Sequence, residues 1–300
     1  MPSTGTAPVA QKTIFLHIHK TAGMSLRGLC TKNYRHGRHF NTELRQITTA
    51  DWLACRERVQ NLTSEELASY QVFKGHMYFG LHENIPAPSR YFTFLREPIQ
   101  RALSHYRMVL RKKELPEGHR IDPTLPDWNL GTHAHLSRSI DNGQTRVIAG
   151  VDPDMPFGAC NETHLEAAKN NLDAHFDFIG LTEHFDLSIL VMRRACGWGW
   201  HFYVPDNVAP QDHVSIPAHT EEDLRLLNRF DLELYDHARE KFHRMVKKQG
   251  LKLKMEHQAF RLGNSIHQRL HRWKQARKQR RGATTGSLRG PAASDRNRPD

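Results

Sequence analysis

The chain has 300 residues and a mass of 34.7 kDa, enough for one large domain or two small ones. Its 38% hydrophobic and 25% charged residues exclude a disordered or fibrous protein, and its longest aliphatic run, Ile189–Met192, is far too short to span a membrane. The net charge of +11 is local: residues 251–300 carry +10 and the other 250 residues carry +1, so a nucleic-acid reading from overall charge is excluded.

The first dozen residues contain no apolar stretch that would serve as a secretory signal, so residues 1–12 read as a flexible leader and the protein as cytoplasmic. Four cysteines, Cys30, Cys55, Cys160 and Cys196, are widely spaced without a C-x-x-C pair, as expected of reduced thiols rather than a disulfide framework or a zinc site. Thr13–Ile18 is rich in β-branched and aromatic residues and predicts a strand buried on both faces. A polar, small-residue loop, His19–Gly23, follows and opens a helix at Met24. Further strands are predicted at Tyr70–Lys74, Arg90–Leu95 and Phe176–Leu181. Pro98 suits the first turn of a helix running to about Lys112, and a second helical pattern runs to about Ala195.

Glu114–Gly131 reads as an insertion loop, and Thr220–Asp223 as the N-cap of one long amphipathic helix carrying Leu224, Leu227, Leu234, Tyr235, Ala238, Phe242 and Met245 into the core. Met255, Ala259, Leu262, Ile266, Leu270 and Trp273 form a second helical stripe inside the basic segment. Residues 251–281 are thus expected to form a basic amphipathic helix appended to a domain over 13–250, and residues 282–300 a disordered tail.

Strands alternating with helices predict an α/β protein with a mostly parallel sheet, whose ligands collect at the carboxyl ends of its strands. The residues just past those ends are His19–Ser25, Gly75-His76, Arg96 and Thr182-Glu183. A strand feeding a small-residue loop and then a helix presents backbone N–H groups to an anion, with Lys20 as a mobile cation and Thr21 and Ser25 as hydroxyl donors. The loop is not G-x-x-x-x-G-K-S/T, because Lys20 precedes Gly23. Arg96, followed eight residues later by Ser104, suits a second phosphate, while Arg101 is spaced to pair with Glu97 on the same helix. His76 faces the same crevice and has the chemistry to accept a proton from a hydroxyl.

These motifs resemble the sulfotransferases of the carbohydrate (heparan-sulfate-type, family 2) group. His17–Leu26 is similar to the H-I-P-K-T-A/G-G-T-S-L loop of that family, and Tyr91–Tyr106 to its T-x-L-R-D/E-P-x-x-R-x-x-S-x-Y segment. Gly75–His82 resembles G-H-x-x-F-G-L-H, and Asp141–Arg146, Gly180–Asp186 and Asp231–Asp236 also look familial. The resemblance spans roughly residues 13–245. It implies a P-loop-like central parallel sheet flanked by helices, with a C-terminal helical extension, and 3′-phosphoadenosine 5′-phosphosulfate (PAPS) as donor, with no metal. Lys20, Thr21, Ala22, Gly23, Met24, Ser25 and Leu26 would hold the 5′-phosphosulfate, Arg96 and Ser104 the 3′-phosphate, with His76 as base and Lys20 stabilising the departing charge. Two positions depart from the family pattern: His19 replaces proline and Met24 replaces threonine, which is expected to weaken donor binding without abolishing it.

The implied acceptor is a carbohydrate or other hydroxyl compound, with the Glu114–Gly131 insertion and Tyr78, His82 and Arg146 shaping its pocket. Two other readings remain open at this point: an ATP-dependent phosphotransferase, and a protein acting through its basic tail. Residues 251–281 are expected to contact an anionic surface, peripherally at the inner membrane face, rather than a specific nucleic acid.

Overall fold

The computed structural model describes residues 11–35, 37–42, 47–111, 139–205 and 218–286. The predicted insertion at Glu114–Gly131, nearly all of the leader and the tail beyond residue 286 lie outside the described residues. The chain runs β1 (Lys12–Leu16), α1 (Gly23–Asn33), β2 (Arg38–Asn41), α2 (Thr49–Gln60), α3 (Ser64–Ser69), β3 (Tyr70–Gly75) and β4 (Ser89–Leu95). It continues through α4 (Pro98–Arg111), α5 (Gly143–Ala149), α6 (Glu162–His175), β5 (Phe176–Leu181), α7 (Phe185–Cys196), α8 (Ala218–Leu227), α9 (Arg229–Lys248) and α10 (Gly250–Gly286).

The five strands form one sheet in the order β2-β3-β1-β4-β5, every neighbouring pair parallel. This is the parallel α/β fold the apolar runs predicted. Strands β1, β4 and β5 alternate between two cores, so both of their faces need apolar residues. Ile14, Leu16, Phe73, Tyr91 and Ile179 lie in one core, together with Trp52 of α2, Leu165 of α6 and Phe242 of α9. Phe15, Phe92, Phe94 and Phe178 enter the other with Leu26 of α1, Leu190 of α7 and Phe260 of α10, and Phe15 stacks on Phe92 at 4.8 Å. β2 escapes sequence detection because only Phe40 of its four residues is buried.

Two sequence expectations need correction. Thr220 does not cap the helix, which already runs from Ala218. The long amphipathic helix is two helices, broken at Asn228, whose side-chain amide donates to the Leu224 carbonyl at 2.9 Å. The basic C-terminal helix packs on the body of the fold. Leu253, Phe260 and Asn264 are buried against the body, and Glu256 pairs with Arg193 and Arg194 of α7. The helix also runs on to Gly286. The stripe read from the sequence is on the far side: Met255, Leu262, Ile266, Leu270 and Trp273 are each at least 50% exposed.

Candidate active site

The chain from β1 turns toward β2 and the chain from β4 toward β5, so the adjacent ends of β1 and β4 bound a crevice where α/β sheets bind ligands. The β1–α1 loop enters it in an unusual conformation. Lys20 and Ala22 have φ of 70° and 61°, left-handed values that turn successive amides to one side, as in anion-binding nests. Gly23 is dictated by close approach: a Cβ there would lie 1.6 Å from Nε2 of His17. Of the predicted loop residues, Thr21 is 1% exposed and donates its hydroxyl to the Ile18 carbonyl at 2.8 Å, so that proton is committed to holding the loop. Leu26 is buried in the core, Ser25 is half-buried and Met24 is exposed.

Arg96 is brought to this loop by partners distant in sequence. Its N–H donates to Oε1 of Gln144 at 3.0 Å, and its carbonyl accepts from Nε2 of the same side chain at 2.9 Å. The guanidinium then donates to the Lys20 carbonyl at 3.4 Å, tying the second phosphate-type residue to the first. Gln144 is itself held by Asp231, whose carboxylate accepts from the amides of Gln144 and Thr145 at 3.1 and 2.7 Å and from the Thr145 hydroxyl at 2.8 Å.

Arg101 completes this network: it pairs with Asp231 at 3.5 Å, both side chains being essentially inaccessible, and not with Glu97 as helix spacing predicted. Glu97 instead accepts from the Gln100 amide at 2.7 Å, capping α4, an N-terminal role that outcompetes the i,i+4 pair. Ser104 lies two turns into α4, half-buried.

His76 sits beyond β3, after Gly75, whose φ of 141° excludes a side chain; its carbonyl accepts from the Thr42 hydroxyl at 2.9 Å. Its Nδ1 donates to the His17 carbonyl at 2.9 Å, which leaves Nε2 as the ring's lone-pair acceptor. The ring is sandwiched: His19 stacks on one side at 3.6 Å and 8°, and His17 on the other at 4.2 Å and 26°, with His105 edge-on to His19. Only His76 was singled out from the sequence. The substitution of His19 for proline was the one available signal for this column.

Burial, and then the neighbouring imidazoles, hold His17 and His19 well below the usual 6.5. Burial also lowers His76, its bond to the His17 carbonyl acting the other way. The unfolded chain therefore binds more protons than the folded one below that value. The stability these groups confer is fully present above pH 6.5 and is lost as pH falls, by up to about 1.4 kcal/mol per pH unit for each histidine. Melting temperature is accordingly expected to drop between about pH 7.5 and about pH 5, with His19→Phe flattening the drop; a flat profile in the parent would contradict it.

Beside His76, between α1 and the ends of β2 and β3, lies a cleft of about 520 Å³ lined by His17, Met24, Arg27, Thr42, Lys74 and others. Lys74 is buried, its Nζ 2.7 Å from Nδ1 of His39 and 3.3 Å from the Thr31 hydroxyl, and burial lowers its pKa. Tyr78, His82 and Arg146, expected to shape a pocket, do not line this cleft. Tyr78 is packed in the core, and His82 turns to the Tyr91 hydroxyl at 3.1 Å. Arg146 is 1% exposed, bound to the Asp141 carboxylate and to the carbonyls of Met155 and Pro156.

A parallel sheet with this strand order and a phosphate-type loop after its first strand defines a P-loop-like α/β protein. The galactose-3-O-sulfotransferase family model matches residues 1–279, and the chain belongs to that family; it is an enzyme. The chain is 27% identical over 327 residues to heparan-sulfate 6-O-sulfotransferase 2 of Gallus gallus, covering 91% of this chain and 76% of that one. It is 22% identical over 248 residues to galactose-3-O-sulfotransferase 2 of Homo sapiens, covering 77% of this chain and 60% of that one. A sulfotransferase of Alicyclobacillus acidocaldarius superposes with a TM-score of 0.41 at 15% identity, over 78% of this chain and 97% of that one. The chain spans 44% of the length of heparan-sulfate 6-O-sulfotransferase 2 of Mus musculus.

Proposed function

We propose that this sulfotransferase moves a sulfuryl group from PAPS to a hydroxyl of a carbohydrate. The observation that carries the reading is the tether between Arg96 and the Lys20 carbonyl, which puts a guanidinium fork and the nest-like loop on one crevice. Such a crevice suits a nucleotide phosphorylated at two positions, since the loop offers amides and an ammonium while arginine offers a second, geometrically distinct receptor. When bound, PAPS supplies an activated sulfuryl group on its 5′-phosphate. The residues assigned to that end are Lys20 and the backbone of Thr21–Leu26 with the Ser25 hydroxyl; those assigned to the 3′-phosphate are Arg96 and Ser104. Lys20 neutralises charge where the donor's bridging oxygen departs, and His76 accepts the acceptor's proton at Nε2.

The acceptor reading rests on two supports. The relatives are named for heparan sulfate and galactose. The cleft beside His76 carries Arg27 and Lys74 with no carboxylate among the described residues that line it, a lining suited to a sugar that bears negative charge. Cys30, Cys55 and Cys160 are buried free thiols and Cys196 is a free, half-buried one, which fits a reducing compartment and supports a cytoplasmic enzyme. Family membership displaces the ATP-dependent phosphotransferase reading.

The test is nucleotide binding. Calorimetry is expected to show adenosine 3′,5′-bisphosphate binding more tightly than AMP, and Arg96→Ala to weaken the bisphosphate by about 10- to 100-fold, in keeping with loss of a charge-assisted pair, while changing AMP little. A preference for the bisphosphate that survives Arg96→Ala would remove the 3′-phosphate assignment.

A further inference from the structure

Helix α10 carries an apolar stripe that the body does not cover. Leu251, Met255, Leu262, Ile266, Leu270 and Trp273 are between 50% and 75% exposed. At about 100° of rotation per residue all six fall within an arc of roughly 100°, opposite the face that buries Leu253, Phe260 and Asn264. From residue 265 to residue 277 no residue of the helix is buried, so its second half projects from the body. With 37 residues the helix is roughly 55 Å long.

The charges along this helix are one-sided. Residues 250–281 contain ten Lys or Arg and a single acid, Glu256, and that acid is turned inward onto Arg193 and Arg194. The outward surface thus combines an apolar stripe with flanking cations, Lys252, Lys254, Arg269 and Arg272 among them, and carries no carboxylate. Trp273 lies near the projecting end with the Arg277 guanidinium 5.4 Å from its ring, an arrangement that places an aromatic body and a cation at one depth.

We infer that this face of α10 is a docking surface for a lipid bilayer rich in anionic headgroups, the helix lying in the interface with its stripe turned to the acyl boundary. Charge decides among occupants. A second copy would bring two strongly basic helices together without an acid between them, and like charge opposes that pairing. A soluble anionic polysaccharide satisfies the cations but gives the six apolar side chains nothing to bury against. An anionic bilayer satisfies both. No helix among the described residues is long and apolar enough to cross a membrane, so this contact lies on the surface rather than through it.

The test uses the full chain with vesicles of phosphatidylcholine alone, or of phosphatidylcholine with about one third phosphatidylglycerol. Co-sedimentation is expected with the anionic vesicles and not with the neutral ones. Brominated acyl chains should quench a fluorescence component that Trp273→Phe removes. Combining Leu262→Ser, Ile266→Ser and Leu270→Ser, all at exposed positions, should lower the partition at least about tenfold with melting temperature unchanged. Three results would overturn the proposal. One is anionic-vesicle binding that the triple variant leaves intact. Another is binding to dextran sulfate with none to vesicles. The third is a parent dimer that the triple variant converts to a monomer.

Discussion

Replacing His76 with alanine is expected to lower turnover by about 10²–10⁴-fold, the contribution of a positioned general base, while binding of adenosine 3′,5′-bisphosphate stays within a few-fold. The expectation rests on how the ring is held. The His17 carbonyl, 2.9 Å away, takes the Nδ1 proton, so the lone pair of Nε2 is fixed and not shared between tautomers. His19 and His17 on its two faces leave the ring little freedom to rotate out of that bond. Burial lowers its pKa, so the neutral, proton-accepting form persists to lower pH than that of an ordinary imidazole at 6.5. The acid limb of the rate profile should therefore fall below pH 6.5 in the parent and be absent from the residual activity of His76→Ala. Turnover that survives the substitution within a few-fold would remove His76 from the reaction.

Asp231→Ala is expected to cost about 3–5 kcal/mol of stability, because it leaves the Arg101 guanidinium buried without its counter-charge. The same change orphans the amides of Gln144 and Thr145 and the Thr145 hydroxyl. Against a total stability of about 5–15 kcal/mol this is a large fraction, and melting temperature should fall by about 10 °C or more. The loss reaches the site, since Gln144 clamps the Arg96 backbone through both of its amide atoms. Bisphosphate affinity measured below the lowered melting point should drop as well, although Asp231 touches no ligand. Arg101→Met combined with Asp231→Leu should recover part of the stability, because no unpaired charge is then left in the core. A melting temperature for Asp231→Ala within about 2 °C of the parent would show that the network does not hold the fold.

These two sites differ in how far the sequence exposed them. His76 was legible because it follows a strand of buried residues and a glycine, and strand ends are where α/β sheets bind ligands. The column that holds it was not, since His19 and His76 are 57 positions apart and only folding stacks them. Asp141–Arg146 and Asp231–Asp236 stood out as segments, but their roles did not. Asp231 meets Gln144 across 87 positions, and nothing local distinguishes a buried carboxylate from a solvated one. Arg101 shows the cost of a local rule: a carboxylate four residues earlier was available, and the buried Asp231 took the guanidinium instead.

By itself the sequence determined four of the sheet's five strands, the loop after its first strand and the end of the sheet where chemistry collects. Buried parallel strands need continuous apolar runs, and a tight strand-to-helix turn needs small residues, both of them short-range signals. Only the tertiary structure decided which distant side chains pair, which imidazoles stack, and which side of the last helix is covered. Helical periodicity reveals one apolar stripe on α10; that the opposite face meets the body depends on the shape of the groove beside α7, and that groove is assembled from residues far from the stripe.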